Sequence, residues 1–194
     1  GDLPSSVEFV DQSSLGRTAR GNPASYTGVF TSIREFFGTS SEAAEAGASP
    51  ADFSFNSGKG RCPHCAGTGW EHVEMQFLSD IYLPCPVCRG RRWQDWILAV
   101  RPELDDGVRR SIDEVLDLTV EEAAAAFANH PAIMKSLSLL SLTGLGYLKL
   151  GQPLSTLSGG ERQRLKLAAR IAEGIPQKHR RSDAAWNGPL FVFD

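Results

Sequence analysis

Residues 156–165 read TLSGGERQRL, a stretch that joins a serine and two glycines to a predicted helix. Ser158 and Glu161 stand three residues apart, the spacing of a capping box, so the helix is predicted to begin at Ser158. Its apolar face continues at helical spacing through Leu165, Ala168, Ala169 and Ala172. The unpaired amides of a helix start attract anions, and glycines let a phosphate approach them closely. The stretch therefore predicts contact with a nucleotide phosphate.

A domain that hydrolyses a nucleotide also needs a loop around the phosphates, with the pattern G-x-x-x-x-G-K-[ST]. The one Gly-Lys pair in the chain is Gly58-Lys59, but Phe53 and Gly60 stand where the pattern requires its first glycine and its Ser or Thr. Residues 1–194 therefore contain no such loop, and we expect it upstream of Gly1. The 156–165 stretch is then predicted to be half of a composite site that another domain completes.

The composition is that of an ordinary soluble protein: 194 residues, 41% hydrophobic, 22% charged, with a net charge of −3. The sequence has no apolar run of about 18 residues and does not begin like a signal peptide, so we expect a cytoplasmic protein without membrane contact. Residues 102–122 contain eight acids and two arginines, whereas residues 157–181 contain seven bases and two acids. The basic cluster can attract phosphate, although a solvated helix face explains most such clusters.

The four cysteines form two C-x2-C pairs separated by nineteen residues: Cys62, Cys65, Cys85 and Cys88. Zinc prefers four tetrahedral thiolates, and each C-x2-C turn supplies two of them. Disulfides are uncommon in the cytoplasm. The spacing therefore predicts a structural zinc ion with these four ligands, and His64 is expected to lie outside the completed shell.

Five basic residues flank the two pairs, with Trp70 and Trp93 beside them: Lys59, Arg61, Arg89, Arg91 and Arg92. Bases mixed with aromatic residues suit a nucleic-acid backbone, but they also suit packing and solvation of a zinc lobe, and the residue types leave both open. The pattern C-x2-C-x-G-x-G also resembles the zinc knuckles of the DnaJ chaperone family. That family has four knuckles, whereas this chain has two, and Arg92 replaces the last glycine of the second.

The remaining patterns predict a mixed α/β fold. Strands are expected at residues 7–10, 93–100 and 189–193, and a hairpin or short strands within 71–83. Helices are expected at residues 29–37, 119–129 and 132–142, and from 158 onward. Thr119 and Glu122 form a second capping box, and residues 39–49 suit either a helix or a linker.

The sequence LSGGERQR, followed by an apolar strand ending in Asp194, resembles the signature motif and Walker B strand of ABC-type ATPases. In that family the signature motif closes on ATP held by the opposite nucleotide-binding domain. The resemblance implies that ATP is contacted by Ser158, Gly159, Gly160 and Gln163. It also implies that Asp194 holds the water shell of Mg²⁺, and that the family's catalytic glutamate follows Asp194.

An ABC signature with a four-cysteine module upstream resembles the UvrA family, the A subunit of the bacterial nucleotide-excision-repair complex, in its C-terminal nucleotide-binding half. The matching motifs lie at residues 11–18, 22–30, 53–62, 73–82 and 145–152. The resemblance implies that Gln12 is the Q-loop glutamine that senses Mg²⁺ and the attacking water. It places the cysteine ligands in an inserted signature domain implicated in DNA engagement, which favours DNA contacts by Lys59 and Arg61.

The expected architecture is a partial ABC-ATPase nucleotide-binding domain with an inserted helical domain and a four-cysteine zinc module. Residues 1–38 would form the Q-loop region and residues 39–56 the linker that starts the insertion. Residues 57–118 would form the zinc-binding module and 119–156 the helical part of the signature domain. Residues 157–194 would carry the signature helix and the Walker B strand.

The resemblance implies a fragment of an ATP-hydrolysing excinuclease subunit that binds damaged or distorted duplex DNA. It implies a homodimer formed through nucleotide-binding domains, with UvrB as a partner, and recognition of DNA shape fits phosphate contacts. Ser14-Leu15, Ala19 and Gly21 depart from the family pattern, and the segment 174–189 is longer than usual. These departures suggest a divergent paralogue, such as a UvrA-like drug-resistance protein. The competing hypothesis is a stand-alone zinc-containing interaction module.

Overall fold

The computed structural model describes residues 6–10, 20–75, 81–174 and 189–193. Within these ranges the chain forms helices and short strands, which confirms the mixed α/β class. In chain order they are β1 Ser6–Val10, α1 Pro23–Tyr26, α2 Val29–Gly38, α3 Ser41–Glu45, β2 Trp70–Val73, β3 Ile81–Pro84, α4 Asp95–Leu98, α5 Ile112–Asp117, α6 Val120–Ala126, α7 Pro131–Leu142, a 3-10 turn Leu154–Thr156, α8 Gly159–Gly174 and β4 Pro189–Phe193.

The strands form two separate pairs in the described part of the chain. β1 pairs in parallel with β4, with Ser6 opposite Pro189 and Val10 opposite Phe193. β2 and β3 form an antiparallel hairpin, and His72 stacks on Tyr82 across it with ring centroids 4.9 Å apart. The predicted strands at 7–10 and 189–193 and the predicted hairpin are therefore confirmed.

The strand predicted at residues 93–100 is wrong. Trp93 makes only an isolated bridge to Arg61, and α4 follows it. Trp93, Ile97 and Val100 are all buried, and their spacing of four and three residues belongs to a helical turn rather than to an extended strand. The aromatic and β-branched composition of this segment suggested a strand, but burial of one helical face decides its conformation.

The acidic segment contains helix α5, which the sequence analysis did not predict. Ser111 and Glu114 cap its start as a capping box, and the Ser111 N–H donates to Glu114 Oε2 at 3.0 Å. Ile112, Val115 and Leu116 are buried on one face. The S-x-x-E signal was present in the sequence, but the high density of acids concealed the short apolar face.

The other helix predictions are confirmed with shifted ends. α2 matches the helix predicted at residues 29–37. Residues 39–49, which suited either a helix or a linker, contain the short helix α3, capped by the Ser40 side chain. The Thr119 capping box starts α6, which ends at Ala126 because buried Phe127 leaves the helical conformation. α7 starts one residue earlier than expected, at Pro131. In the described ranges, no helix is long and apolar enough to cross a membrane.

One apolar core connects the helices to residues 62–88, the segment that contains all four cysteines and is called here the cysteine-bearing lobe. Phe30 of α2 stacks on Phe55 with ring centroids 4.7 Å apart, and Phe55 meets Trp93 edge-on at 5.8 Å. All three side chains are buried. This aromatic cluster therefore fixes the lobe against the packed helices α2, α6, α7 and α8, which form the helical body. The buried cysteines form a second, separate cluster.

Candidate functional site

The four cysteines converge as the sequence predicts. They are buried, and their Sγ atoms all lie within 4.8 Å of one another. Cys62 Sγ lies 3.9 Å from Cys85 Sγ, and Cys65 Sγ lies 3.6 Å from Cys88 Sγ. Zn–S bonds of about 2.3 Å in a tetrahedron separate the sulfurs by about 3.8 Å, whereas a disulfide needs about 2.05 Å. The donor set therefore fits a tetrahedral zinc ion.

Backbone amides beside Cys65 favour the thiolate form that a metal requires, whereas burial raises the pKa of Cys62 and that of Cys88. The Gly69 N–H donates to Cys65 Sγ at 3.3 Å. Burial raises the pKa of Cys65, but hydrogen bonds from Gly69, Cys88 and Gly67 outweigh burial and lower the pKa to about 7. His64 contacts the carboxylate of Glu71 and is not a member of the described cysteine group.

Arg92 differs from the other four bases near the cysteines. Its side chain is buried, its guanidinium lies over the Phe55 ring at 5.1 Å, and Nη1 donates to the Arg20 carbonyl at 3.4 Å. Its φ of +73° is unusual for a residue with a side chain, a feature that it shares with Arg89, whose φ is +53°. Arg92 is thus built into the junction between the cysteine-bearing lobe and the helical body.

The other four bases lie nearer to solvent. Lys59, Arg89 and Arg91 are exposed and Arg61 is partly exposed. Arg61 Nη1 donates to the Asn56 carbonyl at 2.9 Å, and Arg91 pairs with Asp95 at 2.8 Å. All four flank the cysteine pairs in the sequence, and two of them are held by contacts within the protein.

Arg89 and Arg91 border an open groove of about 580 Å³ between the cysteine-bearing lobe and the segment before α8. Lys149 and Gln152 line its far side, together with Asp113 and Asp117. Because both charge signs face the groove, it is not a uniformly basic channel.

The predicted capping box at the start of α8 is confirmed. The Ser158 N–H donates to Glu161 Oε2 at 2.7 Å, and the Glu161 N–H donates to Ser158 Oγ at 3.3 Å. Ser158 and Gly160 are exposed, and a Cβ added to Gly160 would meet no described atom within 4 Å. The helix therefore starts at an open surface. Gln163 is half-buried one turn along.

Two arginines of the predicted basic cluster bind the protein's own backbone. Arg162 Nη1 donates to the Leu157 carbonyl at 2.8 Å. Arg164 Nη1 donates to the Gly144 carbonyl at 2.9 Å. Both side chains therefore hold the helix start in place, a role that their basic character alone did not indicate.

Tyr147 makes a contact with the start of α8 that the sequence did not predict. Its hydroxyl donates to Glu161 Oε1 at 2.7 Å, and Arg164 Nη2 lies 3.4 Å from the same hydroxyl. Fourteen residues separate Tyr147 from Glu161, and no motif spacing predicts such a contact. Gln12 and Asp194 lie outside the described residues, so their proposed roles stay predictions.

The fold and the cysteine cluster together define a mixed helix–strand protein with a four-cysteine site of the metal-binding kind. No protein-family model matches the chain. UvrABC system protein A of Methanothermobacter thermautotrophicus is 52% identical over 166 residues, which covers 86% of this chain and 17% of the relative. Its counterpart in Thermus thermophilus is 51% identical over 162 residues, covering 84% of this chain and 16% of the relative.

The crystal structure of UvrA2 from Deinococcus radiodurans matches with a TM-score of 0.79 and 45% identity, covering 88% of this chain and 20% of that one. The chain belongs to the UvrA family. It spans about one sixth of the length of the curated relatives named above.

Proposed function

We propose that this chain is the segment of a UvrA-type excinuclease subunit that supplies a signature helix and a zinc-bearing DNA contact to nucleotide excision repair. The observation that carries the proposal is the pairing of an open LSGGE helix start with four converged cysteines in one fold. The names of the relatives support the assignment to repair. The zinc ion would be structural, because four thiolates leave no open coordination position.

The signature helix would complete an ATP site on the opposite nucleotide-binding domain of a homodimer. Ser158 Oγ accepts the Glu161 N–H, so the hydroxyl keeps its proton to donate to a phosphate oxygen. Gly159 and Gly160 lack side chains that would hold a phosphate away from the helix amides. Gln163 would extend this contact, Gln12 would sense the attacking water, and Asp194 would hold the Mg²⁺ water shell.

The replacement Gly160→Ala tests the ATP contact directly. The added Cβ meets open space, and alanine is favoured over glycine in a helix by about 1 kcal/mol, so the melting temperature should stay the same or rise. The methyl group would, however, occupy the path of the phosphate. We expect ATP turnover by the complete polypeptide that contains this segment to fall at least about tenfold. Turnover at the wild-type rate would contradict the proposed contact.

The DNA contact would be made by Lys59, Arg61, Arg89 and Arg91, which flank the cysteine ligands in the sequence and are exposed or partly exposed. Arg92 is left out of this surface because its side chain is buried. Such contacts recognise a distorted duplex through its phosphates rather than through its bases. In this proposal residues 57–118 serve as the zinc-binding module that carries the DNA contact, and UvrB would be a partner of the complete protein.

The paired replacement Lys59→Gln and Arg89→Gln tests this surface. Each lost phosphate contact should weaken duplex binding and lower the slope of log affinity against log salt by about 1. Lys135→Gln removes an exposed charge on α7 and serves as the control. Unchanged salt dependence in the pair would contradict the proposal. Equal affinity for damaged and intact duplex would favour a paralogue without repair activity.

A further inference from the structure

Tyr147 makes a polar contact that its exposure does not explain. The residue is 55% exposed, so its ring contributes little to the core. Its hydroxyl nevertheless donates to Glu161 Oε1 at 2.7 Å, from a loop that precedes α8 by more than ten residues. The contact therefore joins a surface loop to the signature helix through one side-chain hydrogen bond.

The carboxylate of Glu161 is shared between two donors. Oε1 accepts the Tyr147 hydroxyl, while Oε2 accepts the Ser158 N–H at 2.7 Å. A carboxylate held at both oxygens is fixed in orientation as well as in position. A continuous line of hydrogen bonds thus runs from Tyr147 through Glu161 to Ser158.

Arg164 closes the same network from one turn further along α8. Its Nη1 donates to the Gly144 carbonyl at 2.9 Å, and its Nη2 lies 3.4 Å from the Tyr147 hydroxyl. The loop is therefore tied to the helix by a backbone contact and a side-chain contact. The hydrogen bond from Tyr147 is the largest of the interactions that hold the pKa of Glu161 below its ordinary value.

We propose that Tyr147 is a positioning residue for the signature serine: it fixes Glu161, which in turn fixes the Ser158 backbone and hence the place where the serine hydroxyl meets a nucleoside triphosphate. The inference rests on the ATP contact proposed above. It adds a residue from outside the LSGGERQR stretch, and it assigns Glu161 a second role besides helix capping.

The replacement Tyr147→Phe removes the hydroxyl and keeps the ring. In the complete polypeptide we expect kcat for ATP hydrolysis to fall roughly tenfold, because one charge-assisted hydrogen bond is lost, while the melting temperature hardly changes. Tyr82→Phe removes the hydroxyl of a tyrosine that is 60% exposed on the hairpin and should leave kcat unchanged.

A double-mutant cycle with Glu161→Gln tests whether Tyr147 acts on ATP hydrolysis through Glu161 or independently of it. The amide of glutamine has one acceptor oxygen, which cannot serve both Tyr147 and Ser158, so Glu161→Gln alone should also lower kcat. If the two residues act in one line, the double variant should lose no more than Glu161→Gln. Additive losses, or wild-type kcat in Tyr147→Phe, would overturn the inference.

A carbon-13 NMR titration of Glu161 gives a readout that does not depend on turnover. Tyr147→Phe should raise the pKa of Glu161, because the strongest donor to the carboxylate is gone, whereas Tyr82→Phe should not. An unchanged pKa would also overturn the inference. A wild-type protein without ATP turnover would instead overturn the proposed function, so the two failures are distinguishable.

Discussion

Gly67 stands where the first cysteine turn passes against the backbone of Phe55. Its φ is +82°, and a Cβ at this position would lie 1.9 Å from the Phe55 carbonyl oxygen. Gly47 also has a positive φ, +64°, but a Cβ there would meet no described atom within 4 Å. Replacing Gly47 by a residue with a side chain would therefore cost only the strain of a left-handed backbone. Replacing Gly67 would cost that strain and also a clash of the new Cβ with the Phe55 backbone.

We predict that Gly67→Ala lowers the free energy of unfolding by about 3 kcal/mol or more, because the backbone must move as well as accept strain. Gly47→Ala should cost only about 1 to 2 kcal/mol. Urea denaturation of both variants measures the difference, and metal analysis should find less zinc in Gly67→Ala alone. Equal losses in the two variants would show that the contact with Phe55 is unimportant.

At the scale of single residues, the sequence predicted what depends on local spacing. The C-x2-C pairs identified the four sulfurs that converge, and S-x-x-E identified the cap of α8. The burial of Arg92 was not predictable, because it depends on Phe55, which lies 37 positions away in the chain. The contact between Tyr147 and Glu161 was not predictable either, because it also joins residues that are distant in the sequence.

At the start of helix α5, the capping-box residue Glu114 also forms a salt bridge whose contribution to stability depends on pH. Burial tends to raise the pKa of Glu114, but hydrogen bonds from Arg101 and from the Ser111 backbone outweigh it, and the pKa lies below the ordinary value of 4.5. Arg101 Nη2 lies 2.7 Å from Glu114 Oε2. A carboxyl with a lowered folded-state pKa stabilises the fold above its unfolded-state pKa, and that contribution disappears as the pH falls.

We therefore predict that Glu114→Gln is less stable than the wild type at neutral pH. The difference in urea midpoint should stay constant down to about pH 5 and shrink below about pH 4.5, as the wild-type carboxylate takes up its proton. A series of denaturation curves across this pH range makes the measurement. A difference that persists unchanged at low pH would mean that ionisation of Glu114 is not its source.

At the scale of elements, helical periodicity was the reliable signal and composition was the misleading one. Residues 29–37 and 132–142 combine apolar spacing with clear start or stop residues, and both were predicted nearly to the residue. The strand prediction for residues 93–100 failed because Trp, Ile and Val favour strands on average, whereas here Trp93, Ile97 and Val100 are buried at helical spacing.

The whole molecule depends on the junction between the cysteine-bearing lobe and the helical body. The Arg92 backbone forms a hydrogen bond with Cys88, and Arg92 and Trp93 pack on the Phe55 ring. Zinc bound by the cysteines would hold this turn in shape, so metal binding and packing of the junction should be coupled.

We predict that removing zinc with a chelator lowers the melting temperature and exposes Trp93 to water, which shifts tryptophan fluorescence to longer wavelength. Trp93→Phe should abolish most of that shift. Trp96→Phe, which replaces a tryptophan that is already 37% exposed, should preserve it. A shift that survives in Trp93→Phe would show that the junction does not respond to the metal.

At this largest scale the sequence predicted both strands 7–10 and 189–193 but not their pairing, because periodicity carries no information on contacts between distant segments. Ser6 and its partner Pro189 are 183 positions apart. Closing a loop of that length costs roughly 5 kcal/mol of chain entropy, far more than forming a hairpin or a helix. Local elements should therefore form first. During synthesis on the ribosome, β1 has to wait for nearly the whole segment to emerge before its partner strand exists.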